Sequence, residues 1–339
     1  LEEAVVASSI APEQILRELA EMWNTLQGPA DSEHGAGVLR ACSMTFIALV
    51  EESEDVAQFG ETIAALMPEH PARTIVIRLR GAGERMLSER VYAQCWMPFG
   101  QNRQVCCEQV EIIASDSSLA DLPSVVLPLA VADLPVILWC RSPRVMIMPE
   151  FRPIAAMARK VIFDSASFPD PTQALERVAE AIGTGTVIGD LAWTRLTRWR
   201  EMVSQVFENR QNLARLSSLT DVTVRAAGEP PTSAWYLGAW VMDALADAGV
   251  RCAFHMTQAD GAKEPGLQAV TLSGSDFECE ISRYDGRLVV TVIGLATCTN
   301  LPKATDYILL REELRITAHD PIFEKTAASA LRLAKRGSE

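Results

Sequence analysis

Short apolar runs rich in β-branched residues alternate with stretches of helical periodicity along most of this chain. Pro135 to Cys140 is a continuous apolar run, as a strand buried on both faces requires. Thr74 to Leu79 and Val161 to Asp164 read as further strands, and Val38 to Val50 is strand-like in composition. Helical patterns lie between and around them, at Glu13–Leu26, Glu51–Leu66, Ser117–Val131, Pro153–Arg159 and Pro171–Ile182. This alternation predicts an α/β (mixed α+β) class, with mixed sheets flanked by helices. The 339 residues suit two domains. We assign residues 1–175 to an N-terminal α/β domain and 176–339 to a C-terminal α/β domain, with the boundary between about 165 and 190.

Two hairpins stand out. Val91, Ala93, Cys95, Met97 and Phe99 alternate with polar and aromatic neighbours, Gly100–Arg103 makes a loop, and Gln104–Ile113 returns. In the second half, Gln268–Ser273, Phe277–Tyr284 and Leu288–Ile293 read as strands, the last two joined by an Asp285-Gly286 turn. Asp221–Val224 is a short strand. Pro230-Pro231 leads into a helix over Thr232–Ala248 that Gly249 stops. Tyr307–Ile316 fits strand or helix, and Pro321–Lys335 is a final helix.

The net charge of −13 opposes adhesion to polyphosphates, so nucleic acid is not an expected partner. The longest apolar region, Leu122–Cys140, is interrupted by Pro123, Pro128, Asp133 and Pro135, so no membrane span is expected, and no signal peptide is read at Leu1–Glu21. Eight cysteines without regular spacing read as reduced, buried thiols of a cytoplasmic protein.

Chemistry-bearing motifs are sparse. Cys106-Cys107-Glu108-Gln109 lies on the returning hairpin strand, where alternation groups Cys106 with Glu108, Val110 and Ile112. A nucleophilic thiol needs a nearby base, and none of the four histidines is close in sequence. Cys252 and His255 have C-x-x-H spacing but no second pair, so no metal is expected. Gly183, Gly185 and Gly189 follow a helix instead of a strand, which is the wrong context for a dinucleotide; no cofactor or catalytic residue is expected.

The stretch from Asp190 to Arg200 is the most informative. Asp190 is placed to cap a helix running to Phe207. Trp193, Leu196, Trp199, Val203 and Val206 form an apolar stripe, while Arg195 and Arg198 lie off it and are expected to be exposed. One reading is a helix packed on its own core. The other is a partner-binding surface carried by Trp193, Arg195, Arg198, Trp199 and Arg200, residue types enriched at binding hot spots.

His70-Pro71-Ala72-Arg73-Thr74, Cys106-Cys107-Glu108-Gln109, Leu122-Pro123-Ser124, Asp133-Leu134-Pro135 and Asp190-Leu191-Ala192-Trp193-Thr194-Arg195-Leu196 occur in one order. With Gly238-Ala239-Trp240 and Leu310-Arg311-Glu312-Glu313, they resemble the signatures of the glucose-6-phosphate dehydrogenase assembly protein (OpcA) family. The resemblance runs from about Ile15 to Leu333. It implies a non-catalytic cytoplasmic partner that binds glucose-6-phosphate dehydrogenase, promotes its active oligomer and raises its activity. An alternative is a sugar-phosphate-binding enzyme or metabolite sensor. The sequence leaves the homo-oligomeric state open.

Overall fold

The structure is a computed structural model that describes residues 11–27, 38–97, 104–262 and 264–337. The chain divides into two compact units, Leu1–Phe163 and Asp164–Glu339. Among the described residues, no helix is long and apolar enough to cross a membrane.

The first unit contains α1 (Pro12–Gln27), β1 (Leu39–Arg40), β2 (Met44–Glu51), α2 (Val56–Leu66), β3 (Ala72–Leu79), β4 (Leu87–Trp96) and β5 (Val105–Ala114). It continues through α3 (Leu122–Val126), β6 (Val136–Cys140), α4 (Pro143–Met146), α5 (Phe151–Ala155) and β7 (Lys160–Phe163). Parallel pairing runs β5-β3-β2-β6-β7, so the order reverses between β2 and β6. β1 adds in parallel to the start of β5, and β4 is antiparallel along β5's other side. β3 is buried along its whole length, as a sheet covered on both faces demands. Phe59, Ile63 and Leu66 of α2 face this sheet, and Phe59 stacks on Trp139 with centroids 5.8 Å apart.

Two local expectations change here. The Ser117–Val131 region is three short pieces, 3₁₀ turns at Asp116–Asp121 and Leu127–Leu129 around α3, because Pro123 and Pro128 each remove a helical donor. Cys95 and Cys106 are opposed in register across β4 and β5 and are joined by a disulfide, which corrects the reading of all eight cysteines as reduced. The expected loop at Gly100–Arg103 lies outside the described residues.

The second unit runs α6 (Pro171–Gly183), β8 (Val187–Asp190), α7 (Leu191–Thr194), α8 (Thr197–Glu208), α9 (Arg210–Ala214), β9 (Leu219–Ala227) and α10 (Thr232–Asp247). Then follow β10 (Ala253–Gln258), β11 (Gly266–Gly274), β12 (Glu278–Tyr284), β13 (Arg287–Val292), β14 (Leu295–Asn300), α11 (Asp306–Glu313) and α12 (Pro321–Gly337). Its six-stranded sheet has the order β10-β9-β11-β12-β13-β14. Only the β10–β9 pair is parallel. Val222, Val224, Val270, Leu272, Ile281 and Leu288 form the buried face. α10 packs on β9 and β11, and α8 on β12 and β13. Gly238 permits this approach, since a Cβ there would collide with the Phe254 ring.

The single helix expected from Asp190 to Phe207 is two helices. The chain turns at Arg195-Leu196, and Leu196 is buried at the turn.

Candidate functional site

In the first unit the reversal of strand order between β2 and β6 marks where a doubly wound sheet ordinarily binds an anionic cofactor. A dinucleotide site there has a glycine-rich turn, with phosphate at the following helix N-terminus. This chain has Glu51-Glu52-Ser53-Glu54-Asp55 instead. Asp55 caps α2 itself, accepting hydrogen bonds from the backbone N–H of Ala57 (2.8 Å) and Gln58 (3.3 Å). Glu51 accepts a hydrogen bond from Ser142 and pairs with Arg144 at 3.1 Å; Arg144 also reaches Asp116 at 2.6 Å. Arg141 pairs with Glu54, and Arg80 pairs with Glu52. The hydrogen bond from Arg80 holds the Glu52 carboxyl below its ordinary range. Carboxylates thus occupy the crevice where phosphates would have to sit, and its arginines are already engaged. The acidic run Glu51–Asp55 is plain in the sequence, but its place at the strand-order reversal is a tertiary feature.

The Cys106–Gln109 motif lies near the other edge of this sheet and is structural in its contacts. Glu108 is buried, with one oxygen facing Arg73 Nε (2.5 Å) and the other accepting from Trp23 Nε1 (2.5 Å) and pairing with Arg40 (2.6 Å). Arg73 also donates to the Leu129 carbonyl at 2.7 Å, tying α1, β3 and β5 to the turn at Leu129. Gln109 donates to Tyr92 Oη across the hairpin. Burial pushes the Cys107 thiol up to about 11, away from the thiolate a nucleophile needs. Cys140 and Cys279 are also buried, whereas Cys42 and Cys252 are partly exposed and Cys298 is exposed, a second departure from the expected buried thiols.

The second unit gathers the Asp190–Arg200 residues. Asp190 is fully buried at the end of β8 and caps α7: Oδ1 accepts from Ala192 N (2.9 Å) and Ser165 N (3.0 Å), and Oδ2 accepts from Tyr236 Oη (2.8 Å). Burial pushes its carboxyl up to about 6; the Asp164 charge adds to the rise, and hydrogen bonds from Ser165 and Tyr236 oppose it. Beside it, Thr194 donates to buried Glu313 at 2.7 Å. A Cβ on Gly189, within β8, would collide with that Glu313 carboxyl, so this glycine allows the close approach.

Trp193 and Trp199 are buried. Trp193 packs on Tyr236 and Phe323, with Arg200 stacked over its ring at 3.7 Å. Arg195 is only partly exposed, held by both oxygens of Asp164 (2.7 Å for one contact), which corrects its assignment to an open surface. Arg198 is exposed and pairs with Glu201 at 2.8 Å.

A groove of about 840 Å³ opens beside this corner. Arg195, Arg198 and Trp199 line one side; Arg283, Lys303 and Arg311 contribute further cations, and Leu267, Leu301 and Ile308 contribute apolar surface. Glu201 and Glu264 in the wall are paired with Arg198 and Arg283, and Glu312 accepts a hydrogen bond from Thr197. Such a mixture of apolar floor and arginine rim suits a protein contact. Sequence spacing pointed to Arg195 and Arg198 but could not supply residues brought in from β12, the segment after β14, and α11.

Residues 63–180 match the model of the glucose-6-phosphate dehydrogenase subunit N-terminal domain, and 186–327 match that of its C-terminal domain. Relatives named OxPP cycle protein OpcA are 23% identical over 66% of this chain in Synechocystis sp. and 28% identical over 52% in Synechococcus elongatus. A third, from Nostoc punctiforme, is 28% identical over 42%. The matches cover 47%, 40% and 30% of those relatives, respectively, so each spans less than half of the relative's length. Among solved structures, a 3-ketoreductase from Actinomadura kijaniata aligns with a TM-score of 0.47 at 11% identity, covering 86% of this chain and 96% of that one. With both domain models matched in order, the chain belongs to the OpcA family.

Proposed function

We propose that this chain is a non-catalytic, cytoplasmic assembly factor and allosteric activator of glucose-6-phosphate dehydrogenase, supporting NADPH production by the oxidative pentose phosphate pathway. The observation that carries this reading is the consecutive match to both domains of the family, over residues 63–180 and 186–327. The carboxylate-filled crevice at the β2–β6 reversal supports a non-catalytic role. Glu51, Glu54 and Asp116 disfavour a phosphorylated ligand there, which also weighs against a sugar-phosphate enzyme using that crevice. The groove beside α8 is the contact surface we assign to the dehydrogenase, with Arg198 and Lys303 as accessible cations and buried Trp199 in its wall. An activator works only through higher affinity for the partner's active state, so binding and activation must respond together.

The test is co-sedimentation with the dehydrogenase of the same organism, using the intact chain and an Arg198→Ala/Lys303→Ala variant. A stable complex weakened about tenfold or more in the variant is expected, equivalent to at least about 1.4 kcal/mol. Absence of a complex would refute the reading; a complex indifferent to the variant would refute the assigned surface.

A further inference from the structure

Among the described residues, β14 is an edge strand of the second unit's sheet. Its residues, Leu295-Ala296-Thr297-Cys298-Thr299-Asn300, include no charge and no proline, and all but Thr299 are exposed. Leu295 is 79% exposed. Sheet edges are ordinarily defended by charge, proline, a bulge or a cover, and an undefended edge pairs with another strand. The hairpin presenting β14 is unusual as well. Its turn places Ile293, a β-branched and half-exposed residue, at φ +47°, followed by Gly294 at +77°. The preceding hairpin makes a similar turn with Asp285 and Gly286 at +45° and +69°, residue types that adopt it at little cost.

Hairpin geometry determines which groups β14 leaves open. Val292 and Leu295 flank the two-residue turn and form its hydrogen-bonded closing pair. By alternation Val290–Thr297 and Leu288–Thr299 are hydrogen-bonded too, and Ala296, Cys298 and Asn300 turn their N–H and C=O groups outward. An added antiparallel strand must align its own outward residues with these three. β14 meets that condition with itself. With Cys298 opposite Cys298 of a second copy, Ala296 faces Asn300, Thr297 faces Thr299 and Leu295 faces Leu301. Every pair is neutral, and Pro302, lacking an N–H, ends the run. In a chain of net charge −13, a strand without charges lets two copies meet there without direct like-charge contact. We propose that β14 pairs antiparallel with β14 of a second copy of this chain, giving a two-fold dimer centred on Cys298.

Sedimentation of the isolated full chain, with a short bis-maleimide cross-linker, tests this without reference to the dehydrogenase. A dimer is expected, cross-linked in the wild type through Cys298. Cys298→Ser should remain dimeric but lose the cross-link. Cys298→Glu, which places like charges face to face, should raise the dissociation constant about tenfold or more. A monomeric wild type, a cross-link that survives Cys298→Ser, or a Cys298→Glu dimer as tight as wild type would overturn the proposal. The wild-type and Cys298→Ser results decide it even if Cys298→Glu does not fold.

Discussion

Tyr236 donates a 2.8 Å hydrogen bond to Asp190 where both side chains are fully buried, fixing α10 to the end of β8. The Asp190 carboxyl titrates near 6, above its ordinary 3.8. Because the folded-state value is raised, this group's contribution to stability is present below about pH 4 and is lost as pH rises through 6. Asp190→Asn keeps an acceptor for the Ser165 and Ala192 N–H groups and should remove that pH dependence. Asp190→Ala orphans three donors and should cost about 2–4 kcal/mol. Urea unfolding between pH 4 and 8 measures both; identical profiles for wild type and Asp190→Asn would contradict the assignment.

Glu108 holds Arg73 inside the first unit, with both side chains largely excluded from solvent. Glu108→Ala leaves that guanidinium without its carboxylate and should destabilise by about 3–5 kcal/mol. Glu108→Gln, which still accepts from Trp23 or Arg73, should cost less. Denaturant midpoints give the comparison, and a loss under 1 kcal/mol for the alanine variant would mean water replaces the pair.

Arg195 and Arg198 should separate by mechanism. Arg195→Ala breaks a partly buried two-point contact with Asp164 and should cost about 1–3 kcal/mol of stability. Arg198→Ala removes only an exposed pair and should stay within about 0.5 kcal/mol. Thermal melting of the two variants is sufficient, and the reverse ranking would show that the Asp164 contact is dispensable.

Alkylation of the unreduced, denatured chain should modify six cysteines, and reduction beforehand should raise the number to eight. Mass spectrometry should place the protected pair at Cys95 and Cys106. Eight modified without reduction would show that the hairpin carries free thiols.

The alternation of apolar runs and helical periods carried the fold class, because burial imposes both periods directly. Asp190 as a helix cap, the Asp285-Gly286 turn and the helix begun after Pro231 were legible for the same local reason. β14 was not: a strand exposed on both faces has no apolar alternation to read. The break at Arg195-Leu196 was hidden because the apolar stripe continues across it, and the ion pair with Asp164 is a tertiary contact. The Cys95–Cys106 bond depends on hairpin register, which composition does not specify. The candidate groove was half visible, since Arg195 at the turn and Arg198 on α8 lie close in sequence while Arg283 and Lys303 arrive from distant sequence.

The most direct test of the central claim is the steady-state kinetics of the same organism's glucose-6-phosphate dehydrogenase titrated with this chain. A saturable rise in activity is expected, through kcat or a lowered KM, that parallels complex formation and is weakened together with it in Arg198→Ala/Lys303→Ala. The chain alone should oxidise no glucose 6-phosphate. Unchanged kinetics at saturating folded chain, or NADP-dependent oxidation by the purified chain alone, would contradict it.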